Sequence, residues 1–153
     1  PYCLMRGTAL AEGIGEKLKS LPPVPKSPIL IAKPGIGVST KYVYENLKLD
    51  EHTKHPNIYA QVAAIRKHDL KGITAHMGNL LETVTIPKYP VIDEIKRCMM
   101  ESGALAAMMS GSGPTVFGLF EDEHTAQNAY SQMKQSKLAK QVYLTSIYNN
   151  RRQ

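Results

Sequence analysis

The chain has 153 residues, 42% of them hydrophobic and 21% charged, with a formal net charge of +6 and an isoelectric point near 9.3. That length suits one domain with its own core, and the balance of apolar and charged residues is ordinary for a soluble globular protein. No apolar run of about eighteen residues is available to cross a membrane as a helix. The 19 lysines and arginines are spread along the sequence, apart from Arg151-Arg152. They read as solvated surface, and the charge alone identifies no partner.

Cys3 and Cys98 are the two cysteines. They form no C-x-x-C motif and no disulfide framework, so they read as reduced, partly buried thiols of a cytoplasmic protein. The N-terminus lacks the basic and then apolar pattern of a secretory signal. The chain opens Pro1-Tyr2-Cys3, without an initiator methionine, and reads as part of a longer protein.

Tyr2 to Glu12 is expected to be a strand, Gly13-Ile14-Gly15 a turn, and Glu16 to Leu21 the returning strand of a hairpin. Prolines 22, 23, 25 and 28 mark an extended surface connection. Ile29-Leu30-Ile31-Ala32, ended by Lys33-Pro34-Gly35, predicts a central strand buried on both faces or nearly so. Ser39-Thr40 can cap a helix from Lys41 to about Leu47 that carries Tyr42, Val43 and Tyr44. Asn57 can cap a second helix with Ile58, Val62 and Ile65 on one face. Leu70 to Leu81 predicts a third, interrupted at Gly72 and Gly78.

Pro87 to Pro90 punctuates the chain. Pro90 suits the first position of a helix, where its missing N–H does no harm. That helix would bury Val91, Ile95, Cys98 and Met99, with Gly103 closing it. Ala104 to Met109 and Val116 to Phe120 predict two buried strands joined by a glycine turn. Gly111 and Gly113 supply backbone angles other residues resist, and successive amides in such a turn form a concavity suited to anions or polar groups. By itself a glycine hairpin is more often punctuation than a ligand loop. Asp122 can cap a last helix with the stripe Ala126, Ala129, Tyr130 and Met133, and Gln141 to Tyr148 forms a final strand.

From Ile29 the order is strand, helices, strand, strand, helix, strand. This is an α+β chain with the ferredoxin-like split βαβ arrangement: an antiparallel sheet, extra helices in the first crossover, and helices on one face. His52 and His55 lie close together with no second ligand pair, and a solvated loop is expected rather than a metal site. His68, His76 and His124 are expected to be exposed on helices.

Met109-Ser110-Gly111-Ser112-Gly113-Pro114-Thr115-Val116-Phe117 resembles the third conserved motif of the GHMP small-molecule kinases. Three further stretches are similar to one branch of that family: Gly7 to Glu16 following Pro1-Tyr2-Cys3, Pro34-Gly35-Ile36-Gly37-Val38-Ser39-Thr40-Lys41-Tyr42-Val43-Tyr44, and Asn79-Leu80-Leu81-Glu82. Members of that branch phosphorylate a hydroxyl of a cytidine diphosphate-linked methylerythritol in non-mevalonate isoprenoid biosynthesis. The resemblance runs from Pro1 to about Ile147 and corresponds to the C-terminal half of the family's protein.

It implies that residues 29–148 form the family's C-terminal domain. Residues 1–28 would belong to the end of the N-terminal lobe, and residues 149–153 form a frayed tail. The complete protein would use ATP and Mg²⁺. The family's phosphate loop, of the type Pro-x-x-x-Gly-Leu-Gly-Ser-Ser, does not occur in this sequence. The family's catalytic aspartate would lie just upstream of Pro1, so no catalytic residue is assigned. The chain alone is expected to bind neither cofactor tightly and to be inactive, its partners being the small-molecule substrate and the other lobe, with no nucleic acid and no membrane. Tyr44 matches an aromatic residue that stacks on cytosine, although core packing is the commoner role of a helical tyrosine. Thr40 matches a substrate-adjacent threonine, and a capping role explains it equally well. Gly111, Ser112 and Gly113 are expected to face the cleft, beside the substrate's diphosphate. Asn79 and Glu82 are expected to link helix and loop. Two alternatives stand beside this reading: another GHMP kinase, acting on homoserine or a mevalonate derivative, and a free-standing ferredoxin-like ligand-binding module.

Overall fold

The computed structural model describes residues 7–148. The first part of the expected N-terminal strand, Cys3 and the expected frayed tail lie outside the described residues.

Strands β1 (Ala9–Glu12) and β2 (Lys17–Ser20) form a hairpin in which Ala9 pairs with Ser20 and Glu12 with Lys17. Gly13 and Gly15 turn it at φ of 70° and 95°, conformations that favour glycine. The proline-rich connection follows. It leads into β3 (Pro28–Lys33), the inner strand of a sheet completed by β4 (Ala106–Met109), β5 (Val116–Leu119) and β6 (Gln141–Ser146). The spatial order is β4-β5-β3-β6, and every neighbouring pair is antiparallel. This is the split βαβ order expected from the sequence.

Pairing sets the two faces, because side chains alternate along a strand. Leu30, Ala32, Met109 and Val116 share one face, and none has measurable exposure. Two helices cover it: one spans Val91–Glu101 and the other Glu123–Ser136. They bury Ile92, Ile95, Met99, Ala126, Ala129 and Met133 against the sheet and Phe120. Ile92 joins Ile95 and Met99 as the buried face, whereas Val91 and Cys98 are only half-buried. Pro90 stands one position earlier than expected, as the cap, and Gly103 adopts φ of 93° just past the helix end.

The opposite face differs from the expectation that helices lie on one side only. Ile29 and Ile31 are half-buried there, so β3 is fully covered on one face and partly on the other. A helix over Ile58–Arg66 and another over Leu70–Ala75 form a second small core with Leu21, Ala64, Ile65 and Ile73, against which Leu10, Val24 and Val62 pack. Ile65, Ile73 and Val24 line a hollow of about 590 Å³ together with Ile29, Phe117 and Leu119 of the sheet.

Two helical boundaries also differ. The expected helix 70–81 stops at Ala75; at Gly78 an added Cβ would lie 2.9 Å from Pro56 Cγ, so another segment crosses closely there. A helix over Glu82–Lys88 forms where the sequence promised only punctuation, with Pro87 inside its last turn. A further helix occupies Thr40–Asn46, giving, in chain order, α1 (Thr40–Asn46), α2 (Ile58–Arg66), α3 (Leu70–Ala75), α4 (Glu82–Lys88), α5 (Val91–Glu101) and α6 (Glu123–Ser136). The strand expected over 104–109 begins at Ala106, and the last strand ends at Ser146 rather than Tyr148. His68 and His76 fall at the ends of α2 and α3 rather than on helices, while His124 lies exposed on α6. Among the described residues, no helix is long and apolar enough to cross a membrane.

Candidate functional site

The site is built at the end of the sheet where β4 turns into β5. Met109 pairs with Val116, and the Ser110 N–H donates to Thr115 O at 2.8 Å, so the connecting turn starts from a fixed ladder. Gly111 has φ of 57° and Gly113 φ of 88°, and the Gly113–Pro114 peptide is cis. The Gly113 N–H donates back to Ser110 O at 3.0 Å. The amides of Gly111 and Ser112 donate to no group among the described residues.

Helix α1 approaches this turn with its first residue. Ser39 caps the helix, its hydroxyl accepting from the Tyr42 N–H, which leaves Thr40 free to serve another purpose. Thr40 Oγ1 and Ser112 Oγ share a hydrogen bond of 2.8 Å. Val43 fixes the helix by complete burial, and Tyr42 lies under Lys88, whose ammonium stands 3.3 Å from the ring centroid. Tyr44 follows Thr40 by four residues, so both lie on one helical face. Tyr44 is 61% exposed, which departs from the common fate of a helical tyrosine. The structure therefore brings Thr40 and Ser112 into direct contact and sets Tyr44 one turn further along the same face.

Asn79 and Glu82 sit on the other flank of the turn. Strand β4 is the sheet's edge, so the outward N–H and C=O of Met109 meet no further strand. Side chains take the place of that strand: Glu82 Oε1 accepts from the Met109 N–H at 2.7 Å, and Asn79 Nδ2 donates to Met109 O at 2.8 Å. Asn79 Nδ2 also donates to Gly111 O at 2.8 Å. Lys96 of α5 holds the second carboxylate oxygen of Glu82 at 2.6 Å, both side chains being about four-fifths buried or more. Thr85, 1% exposed, donates its hydroxyl to Leu81 O at 3.1 Å and Ser112 O at 3.2 Å.

Thr85 and Lys96 were not among the candidates from sequence. Their partners lie 27 and 14 residues away, on elements whose approach no local spacing encodes. Among the described residues, no three His, Cys, Asp or Glu side chains converge to hold a metal ion.

Residues 61–140 match the family described as GHMP kinases C terminal. The chain is 53% identical over 151 residues to a protein of Lachnoclostridium phytofermentans named 4-diphosphocytidyl-2-C-methyl-D-erythritol kinase, covering 99% of this chain and 52% of that one. It is 55% identical over 148 residues to the protein of the same name from Lachnospira eligens, covering 97% of this chain and 51% of that one. A crystal structure of 4-(cytidine 5'-diphospho)-2C-methyl-D-erythritol kinase superposes with a TM-score of 0.73 at 27% identity, covering 90% of this chain and 48% of that one. The chain thus spans about half the length of the curated relatives it matches. With the family match extending over more than half of its residues, the chain belongs to the GHMP kinase family and carries its C-terminal domain.

Proposed function

We propose that this chain is the C-terminal, substrate-side domain of an ATP-dependent kinase that phosphorylates a hydroxyl of 4-diphosphocytidyl-2-C-methyl-D-erythritol. Residues 29–148 form its lobe. Residues 1–28 close the other lobe, with Leu10, Leu21 and Val24 joining the two through α2 and α3.

The observation that carries this reading is the Thr40–Ser112 hydrogen bond. It joins α1 to the glycine turn, so a base stacked on exposed Tyr44 and an anionic group at the turn amides belong to one continuous surface. A flat ring offers a base face a broad contact, and outward amides suit phosphate oxygens. Relatives more than 50% identical across nearly the whole chain bear the name of the same kinase. Phosphoryl transfer depends mainly on positioning and charge stabilisation. This chain's part is the positioning: it holds the acceptor substrate while the other lobe supplies the phosphate loop and base.

The test is a substrate comparison on the full-length protein with ATP. Transfer to the cytidine diphosphate-linked methylerythritol, and not to homoserine or mevalonate, is expected. Transfer to homoserine or mevalonate without transfer to the cytidine compound would overturn the assignment.

A further inference from the structure

The turn over 110–113 is held from behind more firmly than a β-hairpin needs. Three carbonyls and one amide of residues 109–112 are taken by side chains of the segment 79–85. None of these bonds belongs to the β4–β5 ladder, which has its own pairing. Their common effect is on direction. In a trans peptide the C=O of one residue and the N–H of the next point opposite ways, and Gly113–Pro114 is the one cis bond among the described residues. Asn79 draws the Gly111 carbonyl inward, so the Ser112 N–H is turned away from Asn79. That amide donates to no group among the described residues.

We propose that Asn79, Glu82 and Thr85 are positioning residues that fix the turn so that the Ser112 N–H is aimed outward as a donor to a phosphate oxygen of a nucleoside diphosphate substrate. The inference rests on the kinase reading above. Each residue acts through the turn and touches no reacting atom. Asn79 grips two carbonyls with one amide group and is itself held, its Oδ1 accepting from the Leu81 N–H at 3.0 Å. Glu82 registers the start of the turn through Met109 N, and Lys96 balances its charge in a site where an unpaired carboxylate would be costly. Thr85 holds the far end through Ser112 O. A donor fixed before substrate arrives needs no reorganisation when charge is bound, which is where preorganised dipoles gain their advantage.

The test uses the full-length protein and the variants Asn79→Ala, Thr85→Val, Glu82→Ala and Glu82→Gln. Thr85→Val nearly conserves volume and removes only the hydroxyl. Two readouts are taken: KM for the cytidine substrate and for ATP, and amide hydrogen exchange of the peptide containing residues 109–113. Asn79→Ala and Thr85→Val are expected to raise the KM for the cytidine substrate about tenfold, to leave the KM for ATP within about twofold, and to speed exchange in the turn. Glu82→Gln, which keeps the acceptor for Met109 N–H, is expected to recover most of the loss seen in Glu82→Ala. Faster exchange with both KM values unchanged would show a structural clasp only and overturn the proposal, as would unchanged exchange. A wild-type protein that ignores the cytidine substrate would instead defeat the kinase reading, and exchange would still decide whether the three side chains hold the turn.

Discussion

Thr40 and Ser112 stand 72 residues apart in sequence, yet their hydroxyl oxygens lie 2.8 Å from one another. Ser39, not Thr40, caps α1, so the threonine hydroxyl is spent on joining helix to turn. An exposed hydrogen bond of this kind contributes at most about 1 kcal/mol to folding. Thr40→Val in the full-length protein is therefore expected to move the thermal midpoint little and to raise the KM for the cytidine substrate several-fold. Ser39→Ala is expected to do the reverse, costing about 1 kcal/mol of stability through the lost cap. Matched effects of the two substitutions on KM would contradict this division of roles.

The two glycines of the turn respond differently to an added methyl group. Gly111 has φ of 57° and open space around its missing Cβ, while at Gly113, with φ of 88°, a Cβ would sit 2.7 Å from Met109 Sδ. Met109 is fully buried and cannot yield easily. Gly111→Ala is expected to cost roughly 1–2 kcal/mol, the strain of a left-handed alanine. Gly113→Ala adds a packing clash to that strain and is expected to cost more. Urea unfolding of both variants measures the difference; equal losses would contradict it.

Asp122 gives the fold a pH-dependent component. Its carboxylate accepts from the Thr125 N–H and the Thr125 hydroxyl, both at 2.8 Å, and the backbone bond above all holds its pKa below the ordinary 3.8. A depressed carboxylate pKa favours folding above the unfolded value, and the benefit is lost as pH falls through the folded value. The difference in thermal midpoint between wild type and Asp122→Ala is expected to be constant near neutrality and to narrow as pH drops below 3.8. A difference that stays constant at acid pH would contradict this account.

The elements with strong local signals were legible in the sequence. Asp122 and Asn57 cap their helices through side-chain bonds, and β3, β4 and β5 fall on the apolar runs. The sheet order follows from the order of elements. Helix α4 was hidden because Pro87 reads as a breaker; it forms because Glu82 and Thr85 are committed to β4 and the turn, contacts invisible to local propensity. The second small core, built by α2 and α3 on the side of the sheet's other face, depends on where Leu21 and Val24 lead the chain, and proline-rich sequence does not encode that path. At the candidate site, Thr40, Tyr44 and the 111–113 turn were named from the motif resemblance. The Asn79–Glu82 pair was expected only to link helix and loop, and its grip on individual carbonyls and amides emerged from tertiary structure.

The most direct test of the central claim, that α1 and the glycine turn form the acceptor-substrate surface, is the KM of full-length Tyr44→Ala. Loss of a stacked base face worth about 1–3 kcal/mol predicts a KM for the cytidine substrate raised roughly 5- to 150-fold, with a smaller change for ATP and substantial rescue in Tyr44→Phe. An unchanged KM for the cytidine substrate in Tyr44→Ala would remove Tyr44 from the site and contradict the account.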